Sequence, residues 1–129
     1  MSNIGLPIVV GGGGGGNQPE LLWTNPNPGN YFLSQTVTFS TGYDAYLVEF
    51  SYCPATPSYS VMYLPRGISY EYAYCVHQST RMSNWYMRQI KSVSDGAIDF
   101  GPGSGPNGNA SSHNDYAIPT RIWGVKWTI

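Results

Sequence analysis

Two histidines, two cysteines and seven carboxylates are the side chains from which this 129-residue sequence could build chemistry. His113 and Asp115 lie together in a polar stretch, and His77 follows a tyrosine-rich run. Two imidazoles in separate segments fall short of a metal site in one chain, although copies of one ligand around a symmetry axis can assemble one. The expectation is an exposed loop His and a rim His bonded to backbone, with no metal and no cofactor. Glu20, Asp44, Glu49, Glu71, Asp95, Asp99 and Asp115 are spread along the chain. A glycosidase needs two such groups facing each other across a cleft, but an Asp95-Gly96 turn already explains Asp95, and a strand start explains Asp44. There is no nucleophile elbow, zinc-ligand pair or phosphate loop; the GxGxxG contained in Gly11 to Gly16 follows no strand and opens no helix. Catalysis is not expected, and no catalytic residue is assigned. Cys53 and Cys75 are too few for a disulfide framework; buried free thiols are ordinary in strand-like runs, and a single bridge between them stays open.

Charged residues make up 10% of the chain and leave a net charge of -1, where ordinary soluble domains are about 25% charged. The surface is therefore read as Asn, Ser, Thr, Tyr and Gly rather than ions. Arg66, Arg81, Arg88, Lys91, Arg121 and Lys126 form no basic stripe, which argues against nucleic acid as a partner. Aromatic residues at 15% supply the apolar area for one folded domain and argue against disorder. The leader Met1 to Val10 carries Ile4, Leu6, Ile8, Val9 and Val10 but lacks a basic n-region and runs into glycine, so it reads as neither signal peptide nor membrane span. Residues 1–10 are read as an anchor arm for a partner, with folding back onto the chain's own domain as the alternative. Residues 11–19 are a Gly-rich linker, either a tether or a backbone squeezed against another chain, and residues 20–129 a head domain.

The elements that must position these residues are extended. Leu21 to Thr24 is a short apolar run stopped by the turn-forming Asn25-Pro26-Asn27-Pro28-Gly29-Asn30. Leu33 to Phe39 alternates as a half-buried strand, whereas Asp44 to Tyr52 is apolar on both parities, as in a central strand covered on both faces. Ser60 to Leu64 closes at Pro65-Arg66-Gly67. Ser69 to Val76 puts Tyr70, Tyr72, Tyr74 and Val76 on one face; core packing is the expectation for this row, and a carbohydrate-stacking ladder the alternative. Arg81 to Val93 reads as a strand that turns at Asp95-Gly96 into Ala97 to Phe100. Gly101 to Asp115 reads as a surface loop with almost nothing to bury, and Ile118 to Ile129 as a final strand tied into a sheet. About eight short strands without a helix imply an all-β, jelly-roll-like sandwich.

Several blocks in order carry a resemblance: Glu20-Leu21-Leu22-Trp23-Thr24-Asn25-Pro26, then Gln35-Thr36-Val37, then Tyr43-Asp44-Ala45-Tyr46-Leu47-Val48-Glu49-Phe50. An Arg-bearing strand, Arg81 to Lys91, precedes Ala97-Ile98-Asp99-Phe100, the 101–115 stretch, and Ile118-Pro119-Thr120-Arg121-Ile122-Trp123-Gly124-Val125-Lys126. Together these resemble the small carboxyl-terminal domain of tailed-bacteriophage and prophage tail-fibre, baseplate and minor structural proteins. The resemblance implies a homotrimeric, non-enzymatic head on the virion, such as a tail fibre, head fibre or capsid decoration, acting in host attachment or particle assembly. Its partners would be itself, other virion proteins through the arm, and a host-surface glycan or protein. A carbohydrate-binding module, or less readily a glycan-degrading enzyme, is the alternative. Candidate ligand or receptor contacts are Tyr70, Tyr72, Tyr74, Asn107, Asn109, His113 and Asp115.

Overall fold

The computed structural model describes residues 18–76, 84–109 and 111–127. The anchor arm, residues 11–17 of the linker, His77, Arg81 and the side chain of Val76 lie outside the described residues. Eight strands are present: β1 (Glu20–Thr24), β2 (Gln35–Thr38), β3 (Ala45–Ser51), β4 (Tyr59–Pro65), β5 (Ser69–Val76), β6 (Trp85–Ser94), β7 (Ala97–Ser104) and β8 (Ile118–Val125). They form two antiparallel four-stranded sheets, ordered β1-β8-β3-β4 and β2-β7-β6-β5. Among the described residues there is no helix, and the sequence reading of an all-β sandwich holds.

One core lies between the sheets. Tyr46, Val48 and Phe50 of β3 and Ile122 of β8 share it with Val37, Ile90, Ile98 and Phe100 of the second sheet. Phe100 meets Phe32 and Phe50 edge-on at centroid distances of 5.5 and 6.4 Å, the geometry that ring quadrupoles favour. β3 is covered on both faces as its composition predicts, because Ala45 and Leu47 join Val125 beneath Trp123 on the outer side of the first sheet. One end of the sandwich is stitched through Asp95 in the β6–β7 turn. Its Oδ1 accepts a hydrogen bond from the Gly42 N–H at 2.8 Å, and its Oδ2 lies 3.5 Å from Arg66 in the β4–β5 turn. Both cysteines are buried and free.

Two expectations are corrected. Tyr70, Tyr72 and Tyr74 do not pack in the core: they are 70%, 38% and 58% exposed, while Ala73 and Cys75 on the other parity are buried. β5 is a sheet edge, and the space behind it admits small side chains; the Cys75 Sγ sits 3.3 Å from the Ser60 Oγ of β4. Nor is Gly101 to Asp115 a plain surface loop. β7 continues to Ser104, and Gly101, Gly103 and Gly105 are buried. A Cβ on Gly101 would collide with the Gln89 side chain, and one on Gly103 with the His113 carbonyl. Glycine here permits close packing against β6.

Candidate functional site

β5 pairs with β6 alone, and β4 with β3 alone, so the sandwich is open along the side where these two edges run. A groove of about 340 Å³ lies there, with Phe50 and Ser60 at one wall and Tyr72 and Tyr74 at the other. Natural edge strands are usually blunted by charge, proline or a cover. Glu71 is the one charged residue in β4 and β5 together. Tyr70 holds φ at 55°, a left-handed conformation that costs a bulky L-residue on the order of 1–2 kcal/mol. This strained residue stands at the start of the exposed row.

Tyr72 and Tyr74 project from the outer face of the second sheet, where Tyr72 is opposite Gln89 and Tyr74 opposite Met87. Tyr74 packs edge-on against Trp85 with centroids 5.4 Å apart. Asn107 is fastened to the same place. Its Oδ1 accepts from the Trp85 N–H at 3.0 Å, its own N–H donates to the Trp85 carbonyl at 2.8 Å, and its Nδ2 donates to Asn84 Oδ1 at 3.1 Å. Tyr74, Trp85 and Asn107 thus form one shelf joining the tyrosine row to the glycine-rich segment. Trp85 was legible as a strand residue but not as the piece linking these two regions.

The other candidate residues are not brought to this shelf. Asn109 uses its Oδ1 to accept the Ser111 N–H in a local turn. His113 packs edge-on against Tyr86 and Tyr116, and Tyr86 pairs in register with buried Cys75, which is the opposite face of the sheet from Tyr74. Asp115 is half-buried two residues further on. Tyr86 and Tyr116 stack with centroids 3.6 Å apart, and burial is the main cause that pushes the Tyr116 hydroxyl up to about 12. Burial likewise raises the Cys75 thiol above its ordinary range, so it is not an activated nucleophile. Among the described residues no three His, Cys, Asp or Glu side chains converge as metal ligands, and no helix is long and apolar enough to cross a membrane.

Arg88 determines how the 101–117 segment is held. It has no exposed surface, and its guanidinium donates to five backbone carbonyls: Nε to Ala117 (3.0 Å), Nη1 to Phe32 (2.7 Å) and Gly101 (3.1 Å), Nη2 to Asn114 (3.3 Å) and Tyr116 (3.0 Å). The Phe32 ring lies 5.3 Å from its Cζ, a cation–π approach. Burial lowers its pKa to about 10, which leaves it charged at neutral pH. Sequence reasoning missed this residue as an organiser. The available signal was its parity: Arg88 stands between Tyr86 and Ile90 on the alternation that faces the core.

Comparison with protein-family models, with characterised proteins and with solved structures returns no match for this chain. The resemblance to phage domains rests on the residue blocks quoted for it.

Proposed function

We propose that this chain is a non-enzymatic bacteriophage virion protein. In this reading it is a homotrimeric β-sandwich head pinned to the particle by the 1–10 arm, through Ile4, Leu6, Ile8, Val9 and Val10, and it acts in host-surface adhesion or particle assembly. The observation that supports it best is the open β4–β5 side, where Tyr70, Tyr72 and Tyr74 are exposed on an edge strand with almost no charge. Association hides both the rings and the unpaired backbone, and closed cyclic symmetry limits the growth that such an edge would otherwise invite. Tyrosine suits this role because it presents a large rigid ring and a hydroxyl at low entropic cost.

Light scattering of the full chain is expected to give a trimer mass, falling to a monomer in Tyr72→Lys combined with Tyr74→Lys. A monomeric wild type, or a trimer indifferent to both lysines, overturns the assembly surface. Deletion of residues 1–16 is expected to leave a folded oligomer that no longer enters particles; normal incorporation of the truncated chain overturns the anchor.

A further inference from the structure

We infer that the outer face of the first sheet carries a saccharide site centred on Glu49 and Arg121, with an uncharged sugar as its ligand. Glu49 of β3 and Arg121 of β8 are direct cross-strand partners, with Thr24 of β1 on one side and Val61 of β4 on the other. The β3–β8 register shifts beside Glu49, and the extra residue is Thr120. A bulge of this kind re-aims side chains, and here Thr120 Oγ1 donates to Glu49 Oε1 at 2.7 Å. Arg121 closes a fork on the same carboxylate, Nε to Oε1 at 3.0 Å and Nη2 to Oε2 at 2.9 Å. Its Cζ also lies 5.0 Å from the Trp123 ring centroid. The guanidinium is therefore fixed from two directions although its side chain is 47% exposed, while Glu49 is 13% exposed.

Surface pairs of this type contribute only about 0–1 kcal/mol to stability, so the order of this one is more than folding requires. Among the described residues the Arg121 Nη1 has no protein acceptor, and Arg121 lines a groove of about 370 Å³ together with Thr24, Pro28, Glu49, Tyr59 and Thr120. That volume is at the small end of ligand pockets, about 300–1,000 Å³. The chemistry selects the ligand class. The carboxylate repels an anion and the guanidinium a cation, and the pair is neutral. A polyol satisfies both, because its oxygens accept from the guanidinium while a hydroxyl donates to Glu49 Oε2, which accepts one hydrogen bond from Arg121 where Oε1 already accepts two. The exposed Tyr59 ring at the same groove offers an apolar face for the sugar's C–H surface. The site names a ligand for the host-contact role and rests on that reading for its biology; it lies on the outer face of the first sheet and adjoins the proposed subunit contact along β4.

The test is NMR titration of the full chain with D-galactose, D-glucose, D-mannose and their disaccharides, with N-acetylneuraminic acid as the acidic comparator. Saturable shifts of the Arg121 Nε–H and Trp123 indole signals are expected with a neutral sugar. Affinity is expected to fall at least about tenfold in Glu49→Gln, the loss of one charge-assisted hydrogen bond, and about two- to tenfold in Tyr59→Ala, the loss of one aromatic face, and to be unchanged in Leu33→Ala, an exposed residue outside this groove. Amide spectra of each variant report whether its fold is intact. No response to any neutral sugar, a response to the acidic sugar alone, or affinity retained in both Glu49→Gln and Tyr59→Ala overturns the inference. A monomer that binds sugar refutes the assembly reading alone, and a trimer that binds none refutes the saccharide site alone.

Discussion

Arg88 and Arg121 are the same residue type on strands of the two opposing sheets, and they are stabilised in opposite ways. Arg88 is sealed inside, meets no carboxylate among the described residues, and is held by backbone carbonyls, while burial lowers its pKa to about 10. Arg121 lies at the surface, forks onto Glu49, and has its pKa raised by that hydrogen bond and charge. The buried arginine binds chain segments to one another: the Phe32 turn, β7, and the 114–117 approach to β8. The exposed one is ordered yet leaves donors facing solvent. Satisfying backbone is structural work, because carbonyls buried without a donor are costly wherever they lie. A carboxylate partner at the surface contributes little to folding and is better understood as arrangement.

The strongest break of this contrast is Arg88→Met. It strands several buried carbonyls at about 1–3 kcal/mol each, against a total stability of about 5–15 kcal/mol for such a domain. A loss of at least about 4 kcal/mol, or failure to fold, is expected from urea unfolding. Arg88→Lys retains the charge but lacks the planar fork, and is expected to recover part of that loss. A loss indistinguishable from zero in Arg88→Met would contradict the role of the carbonyl cage.

Next in size is Gly103→Ala, which forces a Cβ toward the His113 carbonyl and the Arg88 guanidinium. Overpacking of this kind costs about 1–3 kcal/mol, readable in the same unfolding experiment, with loss of the Arg88 Nε–H signal as the local mark. Smaller still is the coupling in a double-mutant cycle of Glu49→Gln and Arg121→Gln, expected at about 0.5–1 kcal/mol; a coupling several times larger would place Arg121 in the same structural class as Arg88.

The smallest effect is in acid. Arg121 beside Glu49, aided by Thr120 and opposed by burial, holds the carboxyl below its ordinary range. A depressed carboxylate stabilises the fold above its unfolded pKa, near 4.3, and that contribution disappears as pH falls through the folded value. Solvent screening of the exposed Arg121 limits it to less than about 1 kcal/mol. Urea midpoints measured from neutral pH downward are expected to drop less in Glu49→Gln than in the wild type over that window.

The sandwich was largely readable from residue order. The two-parity apolar run of β3 and the Asp95-Gly96 turn are local signals found where expected, whereas the final strand, read as running to Ile129, ends at Val125, with Lys126 and Trp127 outside it. The tyrosine row was readable as a strand face but not as the exposed one, because alternation separates two faces without saying which is inside. Here the choice fell to Ala73 and Cys75, since β5 became an edge with little depth behind it. The glycines of 101–105 carried the composition of a loop; their actual constraint, the Gln89, Arg88 and Tyr86 side chains of β6, is visible only once β7 lies beside that strand.

By itself the sequence determined strand identity, turn positions, the doubly covered central strand and the scarcity of charge, because backbone sterics and period-two burial act over a few residues. Tertiary structure alone decided that Arg88 would be enclosed by carbonyls drawn from three separated places and that Glu49 would meet Arg121 seventy-two positions later. Hydrogen bonds of such reach depend on sheet order and on one bulged residue, Thr120, and neither leaves a mark in local residue pattern.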